Sequence, residues 1–179
     1  LGELYRDSMN RISSGVNKFI LKRIEDMKIK NQGLEEILLE LPRKRSGKPI
    51  MRANMAYLAY RNLGGQQPDE ELLPVLAVSE LSNYHLYLDN WIFDNKYGAH
   101  SSRSRLNMIT AASEIIRDLA QKVIEDLNVE DVKKRRISRS YSLSTISCCE
   151  GQAMDFSRST KEIDLFGEHG FLDYSINRA

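Results

Sequence analysis

The sequence predicts an all-α protein. Apolar residues recur at three- and four-residue steps along most of the chain. No segment alternates apolar and polar residues over the length of a strand, and no internal repeat is present. Glycine, proline and asparagine clusters fall between the periodic stretches, where helices would stop and start.

The first helix is expected over 1–28, with Leu4, Met9, Ile12, Val16, Phe19, Ile20, Ile24 and Met27 on one face. Asn31-Gln32-Gly33 breaks it. A short second helix over Leu34–Leu41 is expected to stop at Pro42. Four cations follow in the loop Pro42–Pro49 (PRKRSGKP). A third helix is expected over Met51–Asn62, with Met55, Leu58, Ala59 and Asn62 along one side. Leu63–Pro68 turns the chain. Asp69 is expected to cap the fourth helix, with Glu70 and Glu71 in its first turn where the helix dipole favours negative charge. That helix should reach about Asn95. It is apolar nearly all round, which predicts a central, buried position.

A polar loop is expected over 96–104 and a fifth helix over 106–127. Its inward residues are Ile109, Ala112, Ile116, Leu119, Ala120, Val123 and Leu127. Asn128 with Asp131 resembles a capping box ahead of a long sixth helix, rich in small residues around Ser144–Gly151. A turn at 167–170 and a last helix from Phe171 complete the reading.

One domain of 179 residues can bury a proper core. The 26 basic and 25 acidic residues nearly cancel, so no global field draws the chain to nucleic acid or membrane. No apolar run approaches a transmembrane length. The two cysteines, Cys148 and Cys149, are adjacent and suit a reducing, cytoplasmic setting. The chain starts at Leu rather than Met, so a missing N-terminus is expected.

Chemistry concentrates in Glu80–Asn95 (ELSNYHLYLDNWIFDN), where acids and amides interrupt an apolar helix. Asn90 and Asp94 are four apart and share a face, with Asp89 one step round. Oxygen ligands of this kind suit a hard cation such as Mg²⁺; a helix end turning to solvent is the plainer alternative. The basic loop could hold a phosphate or diphosphate, or be a solvated loop. Gln152 and Asp155 share a face of the sixth helix and need polar company if buried. The three histidines lack metal-ligand spacing, and no nucleophile-elbow or Walker motif occurs.

In this order the pieces resemble the trans-prenyl diphosphate synthase family. Ser46-Gly47-Lys48 followed by Arg52 is similar to the family's GGKxxRP segment. Glu80 stands fourteen residues before Asp94, the family's distance from its helix glutamate to the last Asp of the first DDxxD motif. Asp89–Asn95 overlies that motif, and Gly151–Asp155 looks like GQxxD.

The resemblance implies an isoprenoid synthase bundle around a central cavity, seen as one N-terminal portion whose C-terminal helices are missing. It implies that Mg²⁺ binds an allylic diphosphate and assists its ionisation, before isopentenyl diphosphate attacks the cation. Lys48, Arg52 and Gln152 would be catalytic. Gly47, Lys48, Arg52, Asn83, Tyr84, His85 and Arg103 would bind substrate, with Tyr84, His85 and Leu86 plugging the product tunnel. Asp89, Asn90, Asp94 and Asp155 would hold the metal. A homodimer or a complementing subunit is expected, because truncated helices would expose apolar surface.

The sequence departs from the family pattern in places. Counting back from Asp94, the motif's first two aspartates fall on Asn90 and Trp91. Lys48 to Arg52 is one residue longer than usual, and the chain ends before a second aspartate-rich motif. A class I terpene cyclase and a non-catalytic subunit of a heteromeric synthase are the alternatives.

Overall fold

A computed structural model describes residues 2–93 and 103–157, with side chains over 6–92 and 103–154. The described chain is all-α, with no strand among the described residues. Its helices are α1 (Gly2–Asp26), α2 (Gln32–Arg45), α3 (Met51–Asn62), α4 (Asp69–Phe93), α5 (Arg103–Glu125) and α6 (Asp131–Ser157). Residues 1–130 form one unit and residues 131–179 a second. The expected turn at 167–170, the helix from Phe171 and most of the 96–104 loop lie outside the described residues.

In the first unit α4 packs on α1, α3 and α5, while α2 packs on α1 and α5. No residue of α4 between Leu72 and Ile92 is fully exposed, as expected of a helix apolar on most sides. Leu81 and Leu88 of α4 are buried, as are Ile12, Val16, Ile20 and Ile24 of α1. Ile109, Ile116 and Val123 of α5 are buried too. Every inward residue expected on α5 is buried, because its charges and its apolar residues occupy opposite faces.

Several helix boundaries differ from expectation. α2 does not stop at Pro42 but continues to Arg45. Proline lacks an N–H, so it leaves the Leu38 carbonyl, four residues back, without its helical donor. The Tyr84 hydroxyl of α4 donates to that carbonyl at 2.9 Å and also to the carbonyl of Ile37. A side chain from another helix thus supplies what the proline removes. At the other end of α2, Asn31 is the N-cap rather than a break, accepting from Leu34 N at 3.0 Å.

Asp69 is the first residue of α4, not its cap. Its carboxylate instead accepts from Arg11 Nε at 2.9 Å, Arg11 Nη2 at 2.6 Å and Arg61 Nη2 at 2.7 Å, joining α1, α3 and α4. Burial pushes the Asp69 carboxyl upward, but the hydrogen bonds from Arg61 and Arg11 outweigh it and hold the group below its ordinary value. α6 begins at Asp131, three residues after the expected start.

α3 has its expected bounds, but the side carrying Met55, Ala59 and Asn62 faces outward. Ala53, Asn54 and Tyr57 face inward. Apolar residues lie on both sides of this helix, so their spacing does not select one. α3 ends in a Schellman turn: Gly64 N donates to Arg61 O and Gly65 N to Tyr60 O, both at 3.0 Å. Gly64 sits at φ +85°, the left-handed conformation that this turn requires.

Candidate functional site

The continuation of α2 past Pro42 decides where the basic residues go. Arg43, Lys44 and Arg45 occupy its last helical turn, about 100° apart, so they diverge rather than converge on one anion. Arg43 borders a groove of about 600 Å³ between α2 and α5, together with Glu36, Glu40 and Arg105. Lys44 pairs with Glu40 and lies 5.9 Å from the Trp91 ring centroid. Arg45 turns inward and forms an ion pair with Glu80 of α4.

Glu80 is only 4% exposed. Its Oε1 takes Arg45 and, at 3.4 Å, the Asn83 amide. Its Oε2 is buried with no hydrogen-bond partner among the described residues. Burial, together with the charge of nearby Arg52, pushes the Arg45 guanidinium down from its ordinary value, and the Glu80 carboxylate is its ion-pair partner. Arg52, on the first turn of α3, donates to Asn83 Oδ1. Gly47 takes a left-handed φ of +74° in the loop between them, with nothing within 4 Å of where a Cβ would stand. Lys48 is exposed, and its N–H donates to Arg45 O at 3.0 Å. Arg45, just ahead of the SGK…R segment, and Arg52, at its end, therefore meet α4 at Glu80 and Asn83.

From Glu80 and Asn83 a single stripe runs along α4 through Tyr87 to Asn90, at steps of three and four. The Trp91 ring lies beside the stripe, tilted at 48° to the Tyr87 ring with centroids 5.2 Å apart. Asp94 itself lies outside the described residues.

Asp89 belongs to a different face. Its carboxylate accepts a hydrogen bond from Ser113 of α5, and its Oδ2 is 3.4 Å from His85 Nε2, one turn back. His85 Nδ1 is 2.7 Å from the same Ser113 hydroxyl. His85 and Ser113 are buried. Tyr84 is also buried, its hydroxyl engaged with α2. Adjacent residues on a helix point about 100° apart, which separates Asp89 from Asn90. The sequence reading grouped them; Ser113, the partner that takes Asp89 away, carries no sequence signal of its own.

Arg103 is exposed at the start of α5. Gln152 and Asp155 lie on α6 in the second unit, and the side chain of Asp155 is outside the described ones. Among the described residues no group of three or more His, Cys, Asp or Glu side chains could hold a metal ion. The magnesium part of the sequence reading therefore depends on Asp94 and Asp155. No protein-family model, no curated protein and no solved structure matches the chain.

Proposed function

We propose that this chain is a portion of a prenyltransferase of the trans-prenyl diphosphate synthase type, with an isoprenoid synthase fold. In this reading it condenses isopentenyl diphosphate with an allylic diphosphate, with Mg²⁺ assisting the ionisation. One observation carries the reading. The basic segment and the helix with the aspartate-rich stretch are joined through Arg45–Glu80 and Arg52–Asn83. The joint opens the stripe that leads to Asn90. Asn83 and Asn90 are seven residues apart, about 10 Å along the helix. That separation suits two diphosphates side by side, one on cations and one at the Asn90 end.

Lys48 and Arg52, both exposed, would bind the isopentenyl diphosphate. Bound magnesium would supply charge stabilisation to the leaving diphosphate. The resemblance assigns Asn90, Asp94 and Asp155 to it, and no step is drawn through the metal. The buried Oε2 of Glu80 provides an acceptor for a donor-bearing group entering from the basic end.

A second reading, the non-catalytic subunit, is favoured by the same α4 geometry. Asp89 is engaged by Ser113, and Asn90 offers an amide without charge. The test is incubation of the full chain with isopentenyl diphosphate, a set of allylic diphosphates and Mg²⁺. A longer prenyl diphosphate supports the prenyltransferase. A hydrocarbon formed without isopentenyl diphosphate identifies a terpene cyclase, and absence of turnover identifies the subunit reading.

A further inference from the structure

Between Pro42 and Pro68 the chain carries six cations and no acid, although its overall charge is only +1. Two of these cations lead to one carboxylate on another helix, Glu80 of α4. Arg45 pairs with Glu80 Oε1, and the Asn83 amide donates to the same oxygen. Arg52 in turn donates to Asn83 Oδ1. The chain Arg45–Glu80–Asn83–Arg52 is thus continuous, and the charge of Arg52 is felt at Arg45. Its outer end, Arg52, is exposed, as is Lys48.

The inner end is incompletely satisfied. The Glu80 side chain is only 5% exposed, and its Oε2 has no hydrogen-bond partner among the described residues. Leaving a buried acceptor in this state costs about 1–3 kcal/mol, and more for a charged one, so the oxygen calls for a donor. Its surroundings restrict which donor. Arg45, Arg52 and Lys48 disfavour an ammonium group or a metal ion and favour an anion. An anion beside a carboxylate is repelled unless a proton lies between the two oxygens. Both demands are met by an oxyanion that is negative and still carries an O–H near neutral pH. A phosphate does so; sulfate and carboxylates do not.

We infer that Glu80 selects the anion: its Oε2 accepts the P–O–H of a hydrogen phosphate group held by Arg52 and Lys48, and it turns away oxyanions that carry no proton. A hydroxyl donating to a carboxylate is among the shorter and stronger hydrogen bonds, and its loss is correspondingly costly. Oε2 lies beneath the surface, so the ligand enters by drawing the exposed Arg52 off Asn83 and onto itself. The group is either a free phosphate or the terminal phosphate of a diphosphate, and the two share this chemistry. The inference rests on the reading of Lys48 and Arg52 as the diphosphate-binding cations; it adds the protonation state they hold and the side chain that reads it.

The experiment is calorimetric titration of the full chain with phosphate, sulfate and pyrophosphate, each without metal. At about pH 8, above the second ionisation of phosphate, hydrogen phosphate and sulfate are tetrahedral dianions that differ by one proton. The parent is expected to bind phosphate about tenfold or more tightly than sulfate. Glu80→Gln, with its helicity checked by circular dichroism, should bring the two within about threefold, because the amide removes the repulsion and donates to either ion. Arg52→Gln is an exposed change that leaves the Arg45–Glu80 pair in place. It should weaken phosphate binding about fivefold or more and keep the preference over sulfate, which locates the ion even if Glu80→Gln does not fold. Equal binding of phosphate and sulfate by the parent, binding of neither, an unchanged preference in folded Glu80→Gln, or an unchanged phosphate affinity in Arg52→Gln overturns the proposal. Pyrophosphate is expected to bind more tightly than phosphate. The reverse order would leave Glu80 in its selective role and count against the diphosphate reading, so the two fail separately.

Discussion

The two polar faces of α4 use similar residue types for different ends. One face joins Glu80 and Asn83 to cations from α2 and α3, and Arg52 on it remains exposed. The other joins His85 and Asp89 to a buried hydroxyl on α5. The first pairs charge with charge beside solvent and continues along the helix to Asn90. The second closes on itself between two helices. A carboxylate in an apolar helix is thus not yet a ligand; what matters is which neighbour the helix turns it toward.

The largest expected effect comes from breaking the first face. Glu80→Ala leaves Arg45 half-buried without its counter-charge. Unfolding in urea should show a loss of about 2–3 kcal/mol, below the value for a wholly buried pair because the Arg45 side chain keeps 30% exposure. A loss under about 0.5 kcal/mol, the scale of an exposed pair, would contradict the pairing.

On the second face, Ser113→Ala removes the shared hydroxyl from both His85 and Asp89. It should cost about 1–2 kcal/mol in the same assay.

The Asp69 cluster serves as a reference, made of the same charge types but placed at the start of α4. Asp69→Asn should cost about 1–2 kcal/mol near neutral pH. The folded carboxyl titrates below its ordinary value, so its contribution is present above about pH 3.8 and is lost as pH falls through the lower folded value. The stability gap between parent and variant should therefore close in acid, with diphosphate binding unaffected at neutral pH.

Smaller still is the link that lets α2 pass Pro42. Tyr84→Phe should cost about 1 kcal/mol, and less in a Pro42→Ala background, where an N–H again reaches Leu38 O. Equal costs in the two backgrounds would mean that the hydroxyl does not compensate for the proline.

The all-α class and the centrality of α4 were legible in the sequence because both follow from the spacing of apolar residues. On α5 every residue expected inward is buried, since its polar and apolar faces separate cleanly, while buried Ser113 and Ile124 were not among those expected. α3 was not, because apolar residues line both of its sides and only tertiary packing chooses between them. The end of α2 was misread because the donor that offsets Pro42 lies more than forty residues away, on Tyr84. The candidate site was legible in part. Glu80, Asn83 and Arg52 do come together, but Asp89 leaves the group, and no local pattern announces Ser113 as its partner. The near-zero net charge likewise concealed the acid-free stretch from Pro42 to Pro68.

The central claim is that the Glu80–Asn90 stripe, and not the His85–Asp89 face, leads to the diphosphate. Calorimetric titration of the full chain with magnesium pyrophosphate tests it most directly, comparing Asp89→Asn with Asp94→Ala. The account predicts affinity within about threefold of the parent for Asp89→Asn and a loss on the order of 10–100-fold for Asp94→Ala. Full affinity in Asp94→Ala with loss in Asp89→Asn would contradict it.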